Sequence, residues 1–147
     1  MYSWFQRADR FAPAYAENRV RSLVHCFTAL VENPARDPAP FHELLAAEFC
    51  LHYTDPPIDT LAALAAWVAG PLSSVVASSH VVSGIRVEDL GEGKYLATMS
   101  MQSEAMFPDG TGIASRNMQT WVVSNDERER FARIVKIAIR RDELRRF

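Results

Sequence analysis

The sequence predicts an α+β fold in which three N-terminal helices pack in a strongly curved, mostly antiparallel sheet. Three segments with helical spacing of apolar residues fill the first half of the chain. Four long strand-like segments joined by tight turns fill the second half. Helices followed by an antiparallel meander are expected to lie under their own sheet, which leaves a pocket between the two layers.

The first helix is predicted from apolar residues that recur at i, i+3, i+4 and i+7 and place one stripe toward the core. These residues are Val20, Leu23, Val24, Phe27, Leu30 and Val31. Pro34 ends the pattern, because the residue before a proline is pushed away from helical dihedrals.

A second, shorter helix is expected after Asp37, which can cap it, with Pro38 in its first turn. Its buried side would hold Phe41, Leu44, Leu45 and Phe49. Residues 49–54 then read as a short strand, which the paired prolines at 56 and 57 end. A third helix, capped by Asp59 or Thr60, would bury Leu61, Leu64, Trp67 and Val68 and close at residues 70–71.

The strands are predicted at residues 80–88, 94–107, 112–124 and 131–140, with turn residues between them. Along 95–107 the residues alternate between apolar and polar, which indicates one buried face. Along 113–123 neither face is purely apolar. The chain is expected to form one domain, with a core of about residues 18–140, an N-terminal extension at 1–17 and a charged, frayed tail at 141–147.

Composition indicates an ordinary globular protein of 147 residues, with a net charge of -2 and 48% hydrophobic residues. This charge gives no basis for nucleic-acid binding, and no segment reaches the roughly 18 apolar residues of a membrane span. We therefore expect a cytoplasmic protein with no nucleic-acid or membrane partner. Cys26 and Cys50 lack paired spacing, so reduced thiols are expected rather than a disulfide or a metal site. No cofactor motif is present.

Several features together resemble one protein family. They are the apolar first helix, the strand ending at Tyr53 to Pro56, the aromatic Trp67 on the third helix, the strand opening at Ser79 and His80, and two long final hairpins. This layout is similar to the SnoaL-like and ketosteroid-isomerase-like branch of the nuclear-transport-factor-2-like superfamily, over about residues 20–140. The resemblance implies a cone with an apolar pocket for a small apolar molecule. Its members include isomerases, dehydratases, cyclases and noncatalytic modules.

The resemblance makes Asp55 and His80 the candidate catalytic residues. Asp55 before Pro56 is similar to the general base of ketosteroid isomerases, although an Asp at this place also commonly accepts amides in a turn. His80 resembles a pocket histidine of SnoaL-like relatives and could transfer protons near neutral pH. The alternative role for His80 is structural, as a strand-edge residue that forms a hydrogen bond with a neighbouring carbonyl.

Six more residues are predicted to shape the ligand site. They are Tyr53, Trp67, Met99, Arg116, Gln119 and Trp121. The isomerase oxyanion hole pairs a Tyr with a protonated Asp. This chain offers Phe27 and Thr28 on the first helix and Asn117, Gln119 or Thr120 on the late strand, so authentic ketosteroid isomerase activity is not expected.

Two function hypotheses remain. The first is a cofactor-independent isomerase, dehydratase or cyclase that uses Asp55 and His80 for acid-base chemistry. The second is a noncatalytic ligand-binding or dimerisation module of the same fold, with a homodimer expected through the outer face of the sheet. The enzyme hypothesis requires Asp55 and His80 in one cavity, and it is dropped if either side chain points to solvent.

Overall fold

The computed structural model describes residues 13–147 as helices flanking and underlying a five-stranded sheet. The elements in chain order are α1 (Pro13–Glu32), α2 (Ala39–His42), β1 (Leu45–Leu51), α3 (Leu61–Trp67), β2 (Ala77–Gly91), β3 (Lys94–Met106), β4 (Gly112–Ser124) and β5 (Arg133–Arg146). A turn of π-helix, Val68–Leu72, continues α3.

The sheet has the order β1-β5-β4-β3-β2. Strands β2 to β5 form an antiparallel meander, and β1 adds to β5 in parallel. Register shifts interrupt β2 near Gly84 and β5 at two places, and such bulges bend a strand and increase its twist. The predicted α+β fold with a curved, mostly antiparallel sheet is confirmed.

The core lies between α1 and the inner face of this sheet. Its fully buried residues come from both layers: Val20, Leu23, Val24 and Phe27 from α1, and Trp121, Val123, Ile134 and Ile137 from β4 and β5. The rings of Phe27 and Trp121 meet edge to face, with their centroids 5.4 Å apart. Burying each large apolar side chain contributes about 1.5–3 kcal/mol to folding, so this contact fixes the position of α1 on the sheet.

The predicted second helix is too long. It ends at His42, and Leu45 begins β1 instead of continuing the helix. The amide of Ile134 donates to the carbonyl of Leu44 over 2.8 Å, and Leu45 pairs with Ile134. Tertiary pairing with β5 therefore overrides the helical spacing of Leu44, Leu45 and Phe49, and the strand predicted at 49–54 lies at 45–51.

The third helix begins as predicted, because the Thr60 side chain accepts the amide of Ala63 over 3.1 Å. Residues 70–71 do not close it, since the π-helical turn passes through Gly70 and Pro71. This extension brings Leu72 and Val75 to the pocket described below.

The C-terminal prediction is also wrong. Residues 141–146 are not a frayed tail but the second half of β5, where Ile113 pairs with Arg146. At the other end of the chain, residues 13–17 belong to α1, while residues 1–12 of the predicted extension lie outside the described residues. Strand β2 exceeds its prediction at both ends.

Exposed apolar side chains lie on the outer face of the sheet, among them Val81 at 60% and Met106 at 48% exposure. The homodimer through this face stays a prediction, and a solution mass near 16.5 kDa would contradict it. Between residues 13 and 147, no helix is long and apolar enough to cross a bilayer. Cys26 and Cys50 are both half-buried free thiols.

Candidate functional site

A cavity of about 210 Å³ opens between the C-terminal half of α1 and the inner face of the sheet. Its lining consists of Phe27, Thr28, Val31, Tyr53, Trp67, Leu72, Val75, Ser78, His80, Met101, Ser103, Glu104, Ala105, Ile113, Ser115, Asn117, Gln119, Ile139 and Arg141. An apolar cavity of about 150 Å³ in another protein holds benzene. The volume here therefore suits one ring with small substituents.

One side of the cavity is a stack of three aromatic rings. Tyr53 lies between Phe27 and Trp67, with centroid distances of 6.1 and 5.4 Å and interplanar angles of 12° and 15°. Burial raises the pKa of the Tyr53 hydroxyl well above its ordinary value. The phenol therefore stays protonated at neutral pH and can donate a hydrogen bond.

On the sheet side, His80 forms a close pair with an acidic residue of α1. His80 Nδ1 lies 3.0 Å from Oε1 of Glu32, and the two side chains are 15% and 33% exposed. A carboxylate only accepts, so the hydrogen bond places the proton of neutral His80 on Nδ1 and leaves Nε2 with its lone pair. Because Glu32 is the last residue of α1, it also lies at the negative end of the helix dipole, a place that disfavours a carboxylate.

The structure does not bring Asp55 to this pair. Asp55 is exposed and is not among the residues that line the cavity. The reason is a backbone bridge: Leu51 and Ile58 exchange hydrogen bonds of 2.8 and 2.9 Å and close residues 52–57 into an outward loop. Only Tyr53 of that loop reaches the cavity. The enzyme hypothesis in its predicted form, with Asp55 and His80 as partners, is therefore dropped.

The other predicted site residues divide into three groups. Tyr53, Trp67 and Gln119 line the cavity, as does His80. Met99 and Trp121 are fully buried in the core and do not line it. Arg116 is exposed on the outer face, because even-numbered residues of β4 point away from α1.

Sequence reasoning missed Ser78 and Arg141, which line the cavity, and Glu32, the partner of His80. Glu32 follows the buried, cavity-lining Thr28 by four positions, which places both on one helix face. Arg141 continues the inward alternation of Ile137 and Ile139, but the predicted strand ended one residue before it. Both signals were present in the spacing.

A chain of buried polar side chains runs along the inner face of β4 toward the cavity. The indole Nε1 of Trp121 donates to Oε1 of Gln119 over 2.9 Å. The Gln119 amide Nε2 lies 3.2 Å from Oδ1 of Asn117 and 3.2 Å from Sδ of Met101. Asn117 and Gln119 are only 6% and 2% exposed, so both amides are held within the protein.

Metal chemistry has no prepared site in the described chain. Across residues 13–147, no three His, Cys, Asp or Glu side chains lie close enough together to hold an ion. The described cavity instead offers an imidazole, a carboxylate, two amides, hydroxyls and a guanidinium around an aromatic wall.

Comparison with known proteins shows the fold. No protein-family model matches the chain, and no curated protein matches its sequence. A solved hexachlorocyclohexane dehydrochlorinase of LinA type 2 superposes with a TM-score of 0.78 at 8% identity, over 91% of this chain and 90% of that one. A protein of Novosphingobium aromaticivorans assigned as a scytalone dehydratase gives 0.79 at 9%, over 91% and 89%.

A third solved structure is described as a nuclear-transport-factor-2-like superfamily protein. It comes from Salmonella enterica serovar Typhimurium and superposes with a TM-score of 0.76 at 9% identity, over 90% of this chain and 94% of that one. The chain therefore has the nuclear-transport-factor-2-like cone fold that the sequence resemblance implied. At these identities the similarity describes the fold, and the chemistry has to be argued from the cavity.

Proposed function

We propose that this cone-fold protein is a cofactor-independent lyase of the dehydratase type, with His80 as its base and a small, mostly apolar ring compound as its substrate. The observation that carries the proposal is the 3.0 Å contact between His80 Nδ1 and Glu32 Oε1 at the cavity wall. A histidine oriented by a carboxylate is a recurrent arrangement for general base catalysis.

The proposed step is an elimination that needs no external reagent. Nε2 of His80 takes a proton from a carbon next to an electron-withdrawing group, and the electron pair of that C–H bond forms a carbon–carbon double bond. The hydroxyl on the adjacent carbon leaves with its bonding electrons and receives the proton back from the His80 imidazolium, which forms water. The Glu32 carboxylate stabilises the imidazolium between the two transfers.

The walls of the cavity support this choice of substrate. The stack of Phe27, Tyr53 and Trp67 offers flat apolar surface, and the volume of about 210 Å³ is close to that of one substituted ring. Aromatic residues contribute large contact area with few rotamers to order. A long substrate would find no room in this volume.

The names of two fold neighbours support the reaction class. The names dehydrochlorinase and dehydratase both describe eliminations, one of HCl and the other of water. Both names agree with an elimination carried out in the same fold.

The test begins with proton abstraction, because it does not depend on the leaving group. Ring ketones that bind the protein are incubated in D₂O, and NMR follows exchange of the proton next to the carbonyl; hydroxylated ketones of the same size are then assayed for enone absorbance. The wild type is expected to accelerate both, and His80→Gln to lower the rate by about 10²–10⁴. Glu32→Gln is expected to lower it by about tenfold or more, because the tautomer and the imidazolium lose their support.

Matched controls are available in the same chain. His25→Gln removes an exposed imidazole from α1, and Asp55→Asn neutralises the carboxylate first suspected as the base. Both variants are expected to keep wild-type rates. Bound ketones whose exchange the wild type fails to accelerate would favour the noncatalytic binding module instead.

A further inference from the structure

We infer that the cavity contains a carboxylate subsite formed by Arg141 and Asn117, which pair across β4 and β5, so that the substrate is a small ring compound carrying a carboxylate. This inference deepens the proposed function and rests on it for the reaction, but the binding site itself can be tested without turnover. Two observations, on Arg141 and Asn117, carry it, and a third adds a further donor elsewhere on the cavity wall.

The first observation is an unused positive charge. Arg140 and Arg145 of β5 bond to the acidic residues Asp142 and Glu143 over 3.1 and 2.7 Å. Arg141 lies on the opposite face from Arg140, lines the cavity, and makes no ion pair with any residue between 13 and 147. A guanidinium beside an apolar cavity favours a planar anion that it can bind with two parallel hydrogen bonds.

The second observation is the direction of the amide chain on β4. An indole N–H can only donate, so Trp121 forces Gln119 to present its carbonyl oxygen to the indole and its NH₂ to the next residue. That NH₂ in turn donates a hydrogen bond to the carbonyl oxygen of Asn117. The NH₂ of Asn117 is therefore left as a donor at the cavity. Asn117 pairs directly with Arg141 across β4 and β5, so the two donors lie side by side.

The third observation is an orphan hydroxyl. Ser78 lines the cavity. Its Oγ is buried and has no hydrogen-bond partner among the described residues. Buried polar atoms without partners are rare in folded proteins. Ser78 is two residues before His80 on β2, so it shares the inner face with the proposed base. Strand β2 lies two strands from β4, so Ser78 is a donor for another part of the substrate and not for the carboxylate.

Arg141 and Asn117 together favour a carboxylate over other anions. Both can donate, and a carboxylate has four lone-pair sites to accept from them. A doubly charged phosphate carries more negative charge than one guanidinium balances, and its size would leave little of the 210 Å³ for a ring. Trp121 and Gln119 act as positioning residues, because they set which way the Asn117 amide faces.

The experiment compares benzoate with benzamide, which has the same size and no charge. Dissociation constants are measured by NMR titration on the full chain. The wild type is expected to bind benzoate about tenfold or more tightly than benzamide, the factor that charge-assisted hydrogen bonds bring. Arg141→Gln should abolish this preference, and the matched control Arg140→Gln should keep it. Equal binding of both probes to the wild type would overturn the inference.

The hydrogen-bond relay from Trp121 through Gln119 to Asn117 has its own test. Trp121→Phe keeps a core ring and removes the indole N–H, so Gln119 is free to turn over and the benzoate preference should fall by about threefold or more. Asn117→Asp replaces the donor with an anion and should eliminate benzoate binding, while near-UV circular dichroism checks that each variant folds. An unchanged preference in both folded variants would contradict the relay.

The two proposals fail separately. His80→Gln is expected to keep the benzoate preference, because the base does not hold the carboxylate. Selective benzoate binding without any proton exchange would remove the lyase proposal alone. Elimination on neutral ring ketones without selective benzoate binding would remove the carboxylate subsite alone.

Discussion

The inner face of the sheet has two ends that differ in their side-chain contacts, although the same strands form both. The packed end consists of Trp121, Val123, Ile134 and Ile137, all fully buried. The cavity end consists of Ser115, Asn117, Ile139 and Arg141, which line the open volume. The paired strands β4 and β5 contribute to both ends, and their register shifts once in each, between Val122 and Val123 and between Arg116 and Asn117. One end stabilises the fold, and the other leaves the Asn117 NH₂ and the Arg141 guanidinium without hydrogen-bond partners among the described residues.

Arg19 closes the packed end. Its guanidinium donates to Oδ1 of Asn125 over 2.7 Å and to the backbone carbonyls of Asp126 and Glu129 over 3.1 and 2.9 Å. At the cavity end, Arg141 has no such carbonyls or carboxylates among the hydrogen bonds of the described residues. The same residue type is a structural clamp in one region and a proposed ligand group in the other.

The largest stability difference is expected between Ile137→Ala and Ile139→Ala. Both residues point inward from β5, but Ile137 is fully buried and Ile139 is half-buried beside the cavity. Ile137→Ala should lower the free energy of unfolding by about 3 kcal/mol, because it leaves a new void in a dense core. Ile139→Ala should cost about 1 kcal/mol, because less apolar surface is lost from contact. Urea unfolding measures both, and equal costs would contradict the division into two ends.

A smaller effect is expected at the clamp. Arg19→Gln should lower the free energy of unfolding by about 1–3 kcal/mol, because three oxygens of the β4–β5 loop lose their donor. Arg21→Gln is the matched control on the same helix, since Arg21 makes one exposed, 3.9 Å pair with Glu17 and should change stability by about 0.5 kcal/mol or less. Thermal unfolding of the two variants decides whether Arg19 clamps the packed end.

The smallest effect concerns acid stability at the same loop. The side-chain hydrogen bond from Arg128 lowers the pKa of Asp126 from 3.8 to about 2. A lowered folded-state pKa contributes stability above about pH 4, and this contribution disappears as the pH falls through about 2. Asp126→Asn should therefore unfold less steeply than the wild type between about pH 4 and 2. Identical acid-unfolding profiles would show that this exposed pair has no effect on stability.

The strand half of the fold could be predicted because its boundaries depend on local turn chemistry. Residues 112–124 were predicted to the residue, and Lys94 was predicted as the start of β3 after the turn at Gly93. Gly93 has a positive φ of 71°, which glycine adopts without cost. The α2 to β1 boundary could not be predicted, because it depends on Leu45 pairing with Ile134, a residue far along the chain.

The site could be predicted only in part for a similar reason. His80, Tyr53, Trp67 and Gln119 were placed by their position on elements that the sequence indicates. Glu32, the partner of His80, could not be predicted, because the two residues meet only when α1 lies across β2. A local motif drew attention to Asp55 instead, and the backbone bridge between Leu51 and Ile58 turns that residue outward.

The most direct test of His80 as a base is to measure which of its ring nitrogens carries the proton. Two-dimensional NMR of ¹⁵N-labelled imidazole rings reports which nitrogen of the neutral His80 ring carries the proton. The pairing with Glu32 predicts a proton on Nδ1 and a free Nε2 in the wild type, with Nδ1 losing that proton in Glu32→Ala. A proton on Nε2 in the wild type, unchanged in Glu32→Ala, would contradict the arrangement and the base with it.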